Sequence, residues 1–276
     1  MPSFIRSIRA TFVAAATFVA VIAGSGVASV DARSLDEIIK SGTIRIGVLP
    51  NSPPQSALGE TNEIEGFDVD VGKKIADTLG VKPDFVMTEI AQRVPFLVSD
   101  RIDISLGGLT RTPERAKLIA YTVPLHTESM AVLTTDKVQA KSWKELNDEK
   151  YTLVLIRGVW TVDFLKENLP KAKILLVDTM ADVTRSIAQG RADALVENID
   201  FYMAFTKNYP DVKWRVIPEV INTHYDGIGV AQNNDALVRY LNIVLYDLHT
   251  GGFVEDTWEK WFKAPMTVKI VPNPYF

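Results

Sequence analysis

Apolar residues alternate along residues 43–49, where Ile44, Ile46 and Val48 fall on one side, and this period predicts a β-strand. Between Gly66 and Gly80 the period changes. Val71, Ile75 and Leu79 recur every four residues, Asp68 and Asp70 stand at the start and Gly80 at the end, which predicts an amphipathic helix. The two periods then alternate. Strands are predicted over 81–86, 102–106 and 129–134, with a helix over 90–98 that carries Pro95 near its start and a short one from Pro113. Ahead of them, a short helix is predicted at 35–39, and the three prolines within 50–56 exclude a continuing ladder there.

After residue 134 the pattern restarts: a short helix over 141–147, a strand over 151–156, a helix over 161–169, a strand over 173–177, a helix over 181–189 and a strand over 192–196. Strands at 212–216 and 226–231 and helices at 236–250 and 253–263 follow. Such alternation predicts an α/β fold with parallel sheets. Residues 91–108 align without a gap on 181–198, so that Arg101 and Asp103 fall on Arg191 and Asp193, and Gly107-Gly108 on Glu197-Asn198. Two lobes are therefore expected, joined by two crossings near 129–132 and 225–230. Lobe 1 is discontinuous (33–130 and 226–276) and lobe 2 spans 131–225. Ligands of open α/β sheets bind beyond the carboxyl ends of strands. That rule sets Thr110 and Arg115 opposite Glu197 and Asn198.

Composition narrows the function. The chain has 276 residues, 47% hydrophobic and 23% charged, with a formal net charge of -4 and no basic block, which argues against a nucleic-acid partner. The absence of cysteine excludes disulfides, thiolate chemistry and a lipidated N-terminal cysteine. Arg6 and Arg9 precede an uncharged apolar stretch over 10–22, and small residues follow, with Val30-Asp31-Ala32 as a small-x-Ala cleavage site and Gly26-Val27-Ala28 as the second choice. Residues 1–32 are thus read as a signal peptide, and the mature protein as exported to the periplasm without a lipid anchor. Removing them takes away two arginines and one aspartate and leaves the chain one unit more negative.

One stretch carries chemistry. In Gly107-Gly108-Leu109-Thr110-Arg111-Thr112-Pro113-Glu114-Arg115, Thr112 suits a helix N-cap, Pro113 the first helical position and Glu114 the first turn. Arg115 does not suit that turn, because a cation there opposes the helix dipole unless an anion sits between them. The glycines allow close approach and Thr110 adds a hydroxyl. Together these residues read as a carboxylate trap. His126, His224 and His249 show no metal-ligand spacing, and no nucleophile elbow, Walker loop or dinucleotide fingerprint occurs. No metal or cofactor is expected.

At Gly66, Phe67, Asp68, Val69, Asp70, Val71, Ile75, Ala76 and Leu79 the chain resembles the signature of the family-3 extracellular solute-binding proteins, which serve ABC importers for polar amino acids. Thr110, Thr112 and Arg115 resemble that family's Thr-x-Thr-x-x-Arg ligand motif. Gln92 to Pro95, Gln189 to Ala194 and Gly227 to Val230 are similar to further family elements. The resemblance implies a two-lobe periplasmic-binding-protein fold of type II, with ligand in the interlobe cleft. It implies that Arg115 binds a ligand carboxylate, assisted by Thr110 and the Trp160 N–H, with Gly108 and the position of Asn198 holding an amine. Family members usually carry aspartate where Asn198 stands, so the counter-charge would have to come from Glu197 or Asp200, and Glu197 is added to the candidates. Leu49, Ser52 and Gln55 stand in the first-lobe loop where family members often carry an acid and aromatics that stack on the ligand side chain. Arg93 and Arg157 could read a second carboxylate. The function implied is a non-enzymatic, monomeric substrate-binding component that delivers a small polar solute, an amino acid or related carboxylate, to ABC permease subunits. The alternative is a periplasmic dehydratase of prephenate or arogenate type on the same fold, with Glu197 as general acid.

Overall fold

The computed structural model describes residues 32–263, 265–266 and 268–274. All but the last residue of the predicted signal peptide lies outside them. Among the described residues no helix is long and apolar enough to cross a membrane.

The first half runs α1 (Leu35–Ser41), β1 (Thr43–Val48), β2 (Asn51–Ser52), β3 (Ser56–Leu58), β4 (Ile64–Glu65), α2 (Phe67–Leu79), β5 (Lys82–Met87), α3 (Arg93–Val98), β6 (Ile104–Ser105), α4 (Pro113–Ala116) and β7 (Ile119–Thr135). The second runs β8 (Thr152–Ile156), α5 (Thr161–Asn168), β9 (Lys173–Val177), α6 (Met180–Ala188), β10 (Ala194–Asn198), α7 (Ile199–Thr206) and β11 (Trp214–Ala231); α8 (Asp235–Thr250) and α9 (Phe253–Phe262) follow. Local chemistry sets the boundaries. Ser34 and Glu37 form a reciprocal capping box on α1. Thr112 caps α4 by accepting from the Arg115 N–H at 3.3 Å.

Eight strands form one sheet in the order β5-β1-β6-β11-β7-β10-β8-β9. Each end is a set of parallel strands, β5-β1-β6 on one side and β10-β8-β9 on the other. The antiparallel pair β7 and β11 lies between them and runs through both halves. These crossings are far longer than the pattern suggested, because Pro124 and the polar run His126-Thr127-Glu128 interrupt the apolar alternation of β7. The proline-rich loop contributes β2 to a small antiparallel sheet with β3 and β4.

The aligned repeat has a physical counterpart. The Asp103 carboxylate accepts from the Arg45 N–H at 2.6 Å, and the Asp193 carboxylate from the Thr152 N–H at 2.7 Å. Each half therefore uses an aspartate leading into its inner strand to hold the neighbouring strand. Packing then closes the first half: Trp258 of α9 meets Phe67 of α2 edge-on at 5.4 Å between ring centres, and Trp261 donates its Nε1–H to Asp70 at 2.8 Å.

Candidate ligand-binding site

The strand ends of the two halves converge on a cavity of about 40 Å3, a volume that holds roughly three waters. Gly107 and Gly108, at φ 88° and 60°, turn the chain out of β6, and a Cβ at Gly107 would meet Leu49 at 3.0 Å. Arg93, 3% exposed, pins this turn by donating to the Gly107 and Gly108 carbonyls. Burial first, then the neighbouring Arg115, draws the Arg93 guanidinium down to about 10.

Arg115 resolves its poor fit to α4 through hydrogen bonds. Its guanidinium reaches back to the Thr110 carbonyl at 2.9 Å and across the cleft to the Gly158 carbonyl at 3.0 Å. Gly158, at φ 86°, lies so close to the other half that a Cβ would meet Ala91 at 3.1 Å. Trp160 forms the adjoining wall, with its ring 4.1 Å from that of His224.

Acids line the same cavity as the arginines. Glu197, at the end of β10, accepts from the Thr161 hydroxyl at 2.7 Å and the Asn198 N–H at 3.1 Å. Burial pushes its carboxyl up to about 7. Glu128 of β7 also lines the cavity, and the Thr110 hydroxyl donates to it at 3.5 Å. Burial, and then Asp226, hold the Glu128 carboxyl well above the ordinary value. Ligand atoms of His126, Glu128 and Asp226 lie within 4.8 Å of one another. Burial lowers the pKa of His126, which favours the neutral ring. Tyr202, also lining the cavity, is held well above its usual pKa by burial and by Glu197 and Glu128.

Of the residues singled out in the sequence, Arg93, Gly108, Thr110, Arg115, Trp160 and Glu197 meet at the cavity. Ser52 is buried in the small sheet, paired with Ser56, and does not line it. Arg157 is exposed and turns to Asp178 at 3.2 Å, away from the cavity. Asn198 is 1% exposed and sits beside Met130 behind the lining. Leu49 and Gln55 of the first-lobe loop line the cavity as well, and Glu128, Met180 and Tyr202 line it without having been singled out as site residues. Only Glu128 carried a signal, as an acid just upstream of a predicted crossing strand.

Two sets of parallel strands, joined by two long antiparallel strands with a cavity between their ends, define a two-lobe solute-binding fold. Residues 44–264 match the bacterial extracellular solute-binding proteins, family 3, and the chain belongs to that family. It is 25% identical over 223 residues to the ABC transporter arginine-binding protein 1 of Escherichia coli, covering 79% of this chain and 90% of that protein. It is 23% identical over 246 residues to the cyclohexadienyl dehydratase of Pseudomonas aeruginosa, covering 88% and 91%. Among solved structures, the ancestral amino acid-binding protein AncCDT-1, a precursor of cyclohexadienyl dehydratase, superposes with a TM-score of 0.76 at 30% identity, covering 83% of this chain and 99% of that one. The fold is the type II periplasmic-binding-protein fold.

Proposed function

We propose that this protein is the exported substrate-binding component of an amino-acid ABC importer. It closes two lobes, 33–130 with 226–276 and 131–225, around a small zwitterion and presents the closed form to permease subunits in the periplasm. The observation that carries this reading is Arg115, whose guanidinium lies at the cavity and touches both halves while Glu128 and Glu197 line the same cavity. A carboxylate on Arg115 would gain charge-assisted hydrogen bonds and also reinforce closure. Capture then works by differential affinity for the closed state, and no bond is made or broken.

A thermal-shift screen of the common L-amino acids, L-cystine and dicarboxylates tests this. A ligand at 100 times its Kd adds about 2.7 kcal/mol, enough to raise the melting temperature by a few degrees. No shift with any amino acid would overturn the reading.

One observation favours a second reading. Glu197, at about 7, can hold a proton beside the cavity near neutral pH, as a general acid for a dehydratase would. Product formation from prephenate by purified protein supports that reading, and saturable amino-acid binding without product supports the first.

A further inference from the structure

Resting on the amino-acid reading above, we propose that Glu128, on the crossing strand β7 and backed by Asp226 on the crossing strand β11, receives the ligand's ammonium group.

Hydrogen-bond capacity distinguishes Glu128 from Glu197. Both Glu197 oxygens are engaged, one by Thr161 and the other by the Asn198 N–H. Glu128 is 6% exposed, and the contact from Thr110 at 3.5 Å is at the outer limit of a hydrogen bond. Asp226 is 1% exposed, and neither of its carboxylate oxygens accepts a geometrically normal hydrogen bond among the described residues. Its contact with His126 Nδ1 is 3.8 Å.

The cavity also asks for the opposite charge. Gln55, 1% exposed, has a buried Nε2 with no hydrogen-bond partner among the described residues, as has the Trp160 Nε1, so the cavity wall offers donors to a ligand as well as acceptors.

Charge balance points the same way. The charged and titratable groups around Glu128 and Asp226 are Asp68 on α2, Arg93 on α3, Arg115 on α4, Tyr121 and His126 on β7, Glu197 on β10, Tyr202 on α7 and His224 on β11. The acids among them, with Glu128, outnumber the two arginines. Arg93 is committed to backbone carbonyls, and Arg115 faces the ligand carboxylate. Two buried carboxyls in contact do not both ionise without a cation. Burial and the neighbouring Asp226 favour the protonated Glu128 carboxyl, and an ammonium group takes that proton's place: the proton leaves to solvent and the Glu128 carboxylate faces the ammonium. The ligand amine then touches strands that run through both halves, so occupancy acts directly on the crossing.

Isothermal titration calorimetry on the full mature chain tests this, using the tightest-binding common L-amino acid and its α-hydroxy acid counterpart. Glu128→Gln is expected to weaken the amino acid by roughly 30-fold or more and the hydroxy acid by less than about 3-fold. Titration in buffers of different ionisation enthalpy near pH 7 is expected to report about one proton released by the wild type and none by Glu128→Gln. Asp226→Asn, which should reduce the release, serves as a second variant if Glu128→Gln fails to fold. Unchanged amino-acid affinity in Glu128→Gln, or no proton release by the wild type, overturns this assignment while leaving the importer reading intact. A wild type that binds no amino acid overturns both.

Discussion

Arg115 Nη2 donates to the Gly158 carbonyl at 3.0 Å, joining α4 to the turn between β8 and α5 across the cleft. A residue that belongs to one half is thus held by the backbone of the other. Arg115→Ala removes both this bridge and the cation that faces a ligand carboxylate. It is expected to weaken ligand binding by about 2–5 kcal/mol. Calorimetry with unchanged affinity would remove Arg115 from the site.

Gly158→Ala should obstruct closure. The positive φ costs about 1–2 kcal/mol for any side chain, and the added Cβ meets Ala91 at 3.1 Å. Gly190, at φ 71° with nothing within 4 Å, provides the control, since Gly190→Ala brings the strain without the collision. Ligand affinity should fall about 10-fold in Gly158→Ala, or 1.4 kcal/mol, and stay unchanged in Gly190→Ala. X-ray scattering should show Gly158→Ala remaining open at a ligand concentration that compacts the wild type. Equal losses in the two variants would mean that strain alone is responsible.

Asp103 is a stability prediction. Its side chain is fully buried and receives Arg33, Arg45 and the Arg45 N–H, with both arginine side chains 22% exposed. Burial alone would raise its pKa, but the hydrogen bonds from Arg33 and Arg45 outweigh it and hold the carboxyl below the usual range. Asp103→Ala is expected to cost roughly 2–3 kcal/mol, less than a fully buried pair because the stranded arginines reach water. A depressed carboxyl contributes stability above its unfolded pKa and loses it as pH falls through the lower folded value. The difference between wild type and variant, measured in urea, should therefore shrink below about pH 3.9.

Asp68 has the opposite sign. Burial pushes it up to about 7, against the pull of the Gly107 N–H and Arg93. The folded chain keeps this proton where the unfolded chain has released it, so stability falls as pH rises from about 4 to about 7. Asp68→Asn should gain on the wild type between pH 5 and pH 8 in urea midpoints. A variant that trails by the same margin at both values would show that the ionised carboxylate is stabilising.

Much of the fold was legible because its elements follow local rules. The stripe Val71, Ile75, Leu79 and the stop at Gly80 located α2, and Thr112-Pro113 located the start of α4. Arg115 was legible because a cation in a first helical turn needs a reason. The positions of the two crossings were legible but their length was not, because β7 and β11 carry their polar residues toward a buried site and break the period that marks a strand. Arg157 and Ser52 sit in the right loops, yet whether a loop side chain turns inward depends on partners that pattern does not reveal.

The sequence by itself determined the order of strands and helices, the repeat that makes two halves, and the arginine that faces the cleft, since each depends on residues close together in the chain. Only the tertiary structure decided where the acids gather. Position 198 carries an amide beside Met130, and Glu128 lies two residues from Met130 on the same face of β7, with His224 opposite and Asp226 two residues further along β11. These positions are as much as 98 residues apart in the chain and become neighbours only when the antiparallel strands pair at one register. Burial then sets their charge, and neither register nor burial is written in any single stretch of the chain.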